Sequence, residues 1–152
     1  YMVRHILSHH VCTLLYAILC SVIEKTFIAK IHKTLSKEIY RWKINDAYHG
    51  GVPDVYYSGL AGCMFVEYKY HKKIPVKPTS KISINTSTQQ KEWLKKALSH
   101  SVPAYVVVGA ADKIVMTQEI DKTFFTVKEF LEQAYSFTEY VDKLTSVLTT
   151  GG

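Results

Sequence analysis

Apolar residues recur at helical spacing at Ile23, Phe27, Ile28, Ile31 and Leu35, with Lys25, Lys30 and Lys33 between them. This is the pattern of an amphipathic helix with one buried stripe. Glu24 heads the stripe Glu24, Ile28, Ile31, Leu35, so its carboxylate points toward the apolar side and away from the lysines. That placement needs a chemical reason.

Further along, residues 39–44 predict a short strand, residues 45–51 a loop containing Asp46 and Gly50-Gly51, and residues 52–57 a second strand. A turn over residues 58–62 and a third strand over residues 63–70 complete a hairpin. Residues 71–83, with Lys72, Lys73, Lys77 and Lys81 between Pro75 and Pro78 or beside them, predict an extended basic loop. Ser87 or Thr88 caps a helix that turns Trp93, Leu94, Ala97 and Leu98 inward and Lys91, Lys95 and Lys96 outward. Residues 104–108 form a near-continuous apolar run, as in a strand buried on both faces, and residues 114–117 the next strand. Residues 127–148 have helical spacing, broken near Ser136. The order helix, three strands, helix, buried strand predicts an α/β fold with a mixed central sheet flanked by helices.

The 152 residues, 47% of them apolar, bound this to one compact domain. A formal charge of +6 favours a polyanionic partner without deciding for one. Cys12, Cys20 and Cys63 include no CxxC pair, and their odd number argues against an internal disulfide framework, so a reducing intracellular setting is expected. Residues 1–23 form an apolar leader, expected to be a helix packed on the domain or on a partner chain, or else foreign to the native protein, with residues 24–152 as the domain proper. A membrane anchor is disfavoured because His9 and His10 interrupt the stretch and residues 11–23 are short for a bilayer. His9, His10 and Cys12 lack the second ligand pair of a soft-metal site. His49 reads as a loop residue and Cys63 as a small core residue.

The chemistry concentrates at the hairpin. Asp54 opens the second strand, and Glu67 and Lys69, two apart on the third, share a face. The strand around them is apolar on both sides, where an unpaired carboxylate is costly. Two carboxylates and a lysine are what phosphodiester hydrolysis with a hard divalent ion requires. The words Gly51-Val52-Pro53-Asp54, Phe65-Val66-Glu67-Tyr68-Lys69 and Ser87-Thr88-Gln89-Gln90-Lys91-Glu92-Trp93-Leu94 resemble the PD-(D/E)XK nuclease superfamily, and within it the virus-type replication-repair nuclease (VRR-NUC) branch.

The resemblance covers residues 24–108 and implies a restriction-endonuclease-like core of α-β-β-β-α-β order. It implies Asp54, Glu67 and the backbone carbonyl of Tyr68 as ligands of Mg²⁺, with Mn²⁺ as a substitute, and Lys69 as the group that orients or activates water and stabilises the phosphorane charge. Glu24 matches the family's first-helix glutamate. Gln90 matches its helix-start glutamine, with Gln89 one residue away. Lys72, Lys73, Lys77 and Lys81 would contact DNA phosphates.

The expected activity is metal-dependent endonucleolytic cleavage of double-stranded or branched DNA inside a bacterial or virus-infected cell, by a dimer or tetramer and without a membrane. A site-specific homing-type phage enzyme comes first, a nuclease selective for Holliday junctions or other branches second, and a catalytically silent DNA-binding protein third.

Overall fold

The computed structural model describes the backbone from residue 2 to residue 152 and the side chains from residue 11 onward. A single helix, α1 (Met2–Thr34), leads into β1 (Tyr40–Lys43), β2 (Val55–Gly59), β3 (Gly62–His71) and the short β4 (Lys81–Ser83). Then come α2 (Thr88–Ser99), β5 (Ala104–Ala110), β6 (Lys113–Thr117), β7 (Phe124–Thr126), α3 (Val127–Gln133), β8 (Tyr135–Ser136) and α4 (Phe137–Thr150).

Six strands make the main sheet in the order β1-β2-β3-β5-β6-β8. Only the β3·β5 pair is parallel, so the sheet is mixed, as expected. One face is covered by α1 and α4, through Phe27, Ile28, Ile31, Tyr140, Leu144 and Leu148 packed on Val55, Tyr57, Val66 and Tyr68. The other is covered by α2, α3 and the β4·β7 ribbon, through Leu94, Ile82, Phe125 and Phe130 on Ala104, Val106 and Val108. The core helix–strand–strand–strand–helix–strand order appears with β4 interposed, and β5 is buried along nearly its whole length.

Three expectations change and one is met. The basic loop over residues 71–83 ends in a strand, because Ile82 is buried against Phe125 of β7 and the two strands pair in register. The second strand starts at Val55 rather than at residue 52, since Pro53 has no N–H to give a ladder. The carboxyl-terminal helical stretch breaks near Ser136 as expected, at β8: Thr126 and Ser136 each accept the N3 backbone N–H of the helix they open, and their N3 partners Glu129 and Glu139 return the bond. Lastly, α1 runs unbroken past residue 23, about 50 Å long at 1.5 Å per residue, and residues 11–19 are exposed instead of packed on the domain. Residues 11–34 are long and apolar enough to cross a membrane by length and composition, although the half that carries Phe27, Ile28 and Ile31 is already packed in the core.

The carboxyl end of α1 is tied down by Arg41, whose guanidinium donates to the carbonyls of His32, Leu35 and Ser36. That clamp satisfies last-turn carbonyls and complements the helix dipole. It also fixes α1, and so Glu24, against the edge strand β1.

Candidate active site

Asp54 sits just before β2, where its carbonyl accepts the N–H of Ile44 and its side chain reaches β3. Oδ2 accepts the backbone N–H of Tyr68 at 2.9 Å, and Oδ1 lies 3.1 Å from the ammonium of Lys43. Within β3 the alternation of side chains brings Glu67 and Lys69 to one face, where Lys69 Nζ is 2.7 Å from Glu67 Oε1. Gln90 Nε2 donates to the same oxygen at 2.5 Å. The side-chain oxygen of Gln90 meanwhile accepts the N–H of Ser87, whose hydroxyl accepts the Gln90 N–H. One glutamine thus closes the capping box of α2 and holds Glu67. Gln89 instead abuts the Gly50-Gly51 loop. A Cβ on Gly51 (φ +84°) would stand 2.5 Å from the Gln89 carbonyl, so glycine is needed there for both backbone and space.

Glu67 is 1% exposed. Burial pushes its carboxyl up to about 7, with Asp54 pushing the same way and Lys69 pulling it down. Glu24, reaching in from α1, is also raised by burial and by Asp54, against the pull of Lys69 and Lys43 and the N–H of Tyr70. Burial would lower the Lys69 ammonium, but Glu67, Glu24 and Asp54 together outweigh it and leave its pKa raised. Five sequence-selected residues, Asp54, Glu67, Lys69, Glu24 and Gln90, therefore meet at one centre. Lys43 was not foreseen. Its place beside Asp54 depends on the β1·β2 register, which sets Lys43 opposite Val55.

The donors themselves decide whether the implied divalent ion fits. Among the described residues Glu67 Oε2 is buried with no hydrogen-bond partner, a carboxyl oxygen that costs free energy unless a proton or a cation meets it. Asp54 and Glu24 are close enough to perturb it. Among the described residues no group of three His, Cys, Asp or Glu side chains by itself makes a metal cage. Mg²⁺ does not need one, since it is commonly held by one or two carboxylates and keeps several waters. The residues fit a hard oxygen-seeking ion held mainly by Asp54 and Glu67.

Tyr68 points its side chain away from the centre, into the core. Its hydroxyl shares hydrogen bonds with Tyr57 (2.8 Å) and Tyr140 (2.9 Å), and Tyr57 with His32 Nε2 (2.9 Å). Burial, with Arg41 and Lys43 nearby, drives His32 down to about 4, so the ring is neutral near pH 7. This chain of hydroxyls anchors the middle of β3 directly behind Glu67 and Lys69.

Lys72 and Lys73 are exposed and line a cleft with Lys69, whereas Lys77 is exposed elsewhere on the loop and Lys81 lies over the Phe124 ring at 4.3 Å. His71 donates to the Ser83 carbonyl at 2.8 Å and closes the base of that loop. Of the residues given secondary readings, His49 is an exposed loop residue paired with Asp46, and Cys63 is partly buried. Cys12 is exposed, and the side chains of His9 and His10 lie outside the described residues.

No family model matches this sequence, and no curated protein does. Among solved structures it is similar to the Holliday junction resolvase Hjc of Archaeoglobus fulgidus, with 11% identity and a TM-score of 0.49, over 81% of this chain and 98% of that one. The functional reading therefore stands on this chain's own geometry.

Proposed function

We propose that the chain is a metal-dependent endonuclease that hydrolyses phosphodiester bonds in DNA. The observation that carries this reading is Glu67 Oε2, buried and unpartnered among the described residues, with Asp54, Glu24 and Lys69 around it. Asp54 and Glu67 would hold Mg²⁺, with the Tyr68 carbonyl as a further oxygen donor and Mn²⁺ as a substitute. When bound, the ion supplies Lewis acidity and positive charge at the attacked phosphate.

The chain's own groups do the rest. Lys69, kept cationic by three carboxylates, orients water and offsets negative charge developing on the phosphate, so it serves as a charged donor and not as a base. Gln90 fixes the Glu67 carboxyl by its oxygen Oε1, and Lys43 does the same for Asp54. Lys72 and Lys73 attract the DNA backbone. The exposed stripe Val11, Leu14, Leu15, Ile18 and Val22 of α1 offers an apolar face for a contact between copies in a homo-oligomer. The cysteines, all free thiols, suit a reducing intracellular setting.

The test is cleavage of supercoiled plasmid and of a synthetic four-way junction in Mg²⁺, Mn²⁺, Ca²⁺ or EDTA, beside Asp54→Ala and Lys69→Ala. Metal-dependent cutting reduced about 100-fold or more by each substitution is expected, on the scale of losing a charge-stabilising donor. Cutting that survives Asp54→Ala sinks the assignment.

A further inference from the structure

A cleft of about 450 Å³ opens beside the carboxylate centre, between the exposed part of α1 and the carboxyl end of β3. Its volume lies in the roughly 300–1,000 Å³ range of small-molecule sites. Its two walls differ in chemistry. Tyr16, Leu19 and Ile23 of α1 make an apolar wall, and Lys72, Lys73 and Asn85 make a cationic and polar one, with Glu24 and Lys69 at the catalytic end. Tyr16 and Leu19 are 70% and 53% exposed, open to a ligand entering from solvent. The floor residue Tyr70 is rigidly held, stacked on Phe27 at 4.5 Å between ring centroids and donating its hydroxyl to the Ala111 carbonyl at 3.0 Å.

An intact duplex presents phosphates to a protein and keeps its bases stacked inside, so it could use the lysines but would leave the apolar wall wet. A nucleotide outside the stack offers both surfaces at once: a flat apolar ring and an anionic phosphate. The cleft leads directly to Lys69 and Glu24, so a strand entering it would continue to the carboxylates.

We propose that this cleft binds one unpaired nucleotide next to the attacked phosphate, with its base against Tyr16, Leu19 and Ile23 and its phosphate at Lys72 and Lys73. This selects splayed or branched DNA over continuous duplex. The proposal rests on the nuclease reading only for the identity of the neighbouring phosphate.

The experiment uses the full chain in Ca²⁺ with two oligonucleotides of one sequence, a Y-shaped DNA with 2-aminopurine at the first unpaired position and a fully paired duplex carrying the same probe. The Y-shaped DNA is expected to bind about tenfold tighter and to have its 2-aminopurine fluorescence quenched, the scale of one stacked base. Tyr16→Ala with Leu19→Ser, both at exposed positions, removes the preference and the quenching while duplex affinity stays. Lys72→Gln with Lys73→Gln weakens both DNAs and flattens the salt dependence by about 0.7–0.9 in slope for each phosphate no longer neutralised. Equal affinity for the two DNAs, or a preference that survives the Tyr16 and Leu19 changes, overturns the cleft assignment. Cleavage in Mg²⁺ is scored separately. Preferential binding of the Y-shaped DNA without any cutting would end the nuclease reading and leave the cleft standing. Cutting that depends on Asp54 but shows neither preference nor quenching would do the reverse.

Discussion

With burial holding the Glu67 carboxyl up at about 7, the folded, metal-free protein binds a proton there more tightly than the unfolded chain does. Stability from this group is therefore present at low pH and lost as pH rises from the ordinary carboxylate range through about 7. Glu67→Gln removes that loss. In EDTA the variant's melting temperature should gain on the parent's as pH goes from 5 to 8, and added Mg²⁺ should restore the parent but not the variant. A gap that does not change with pH would mean that Glu67 is not held up by burial. Because proton and metal compete for the same oxygens, apparent Mg²⁺ affinity should fall as pH drops below about 7, which calorimetry at several pH values would show.

At the scale of elements, the start of α2 links structure to chemistry through Gln90, which belongs both to the capping box and to Glu67. Ser87→Ala should cost about 1 kcal/mol, as loss of a cap does, in urea unfolding. It should also slow cleavage more than its stability loss explains, since Gln90 then loses one of the bonds that orient it. Gly51→Ala acts on the same junction from the loop side. With φ at +84° and the Gln89 carbonyl in the way, it should destabilise by about 1–3 kcal/mol in urea unfolding. In the core of the same helix, Leu94→Ala should cost about 2–5 kcal/mol, because Leu94 is fully buried.

Across the whole molecule, α1 joins three tasks along one axis: core packing by Phe27, Ile28 and Ile31, delivery of Glu24 to the centre, and projection of an apolar arm beyond the domain. The stripe of Val11, Leu14, Ile18 and Val22 borders the cleft wall of Tyr16, Leu19 and Ile23 along one edge, since Leu19 and Val22 are three residues apart, and Leu14 and Ile18 lie on the edge away from it. Leu14→Glu with Ile18→Glu should therefore lower the mass in light scattering to that of a monomer without removing the preference for unpaired DNA. A parent that is already monomeric, or a mass unchanged by the double substitution, would remove this stripe as a contact between copies.

Period and composition were enough to specify the amphipathic half of α1, the hairpin of β2 and β3, helix α2 and the buried strand β5, because each buries a regular stripe whose spacing is a local property. The pairing of Glu67 with Lys69 was equally local, two residues apart on one strand. What only the folded chain decided depends on distant partners. Lys43 reaches Asp54 through strand register, and Gln90, not Gln89, meets Glu67 because the capping box sets its rotation. The strands β4, β7 and β8 are three, three and two residues long, too short to carry a period, and exist through the partners they pair with. Tyr57, Tyr68 and Tyr140 look like ordinary apolar-pattern positions, and the hydrogen bonds among them join residues brought together only when α4 packs across the sheet. The two-sided cleft likewise needs α1 and β3 side by side, since neither wall alone has the chemistry of a nucleotide site.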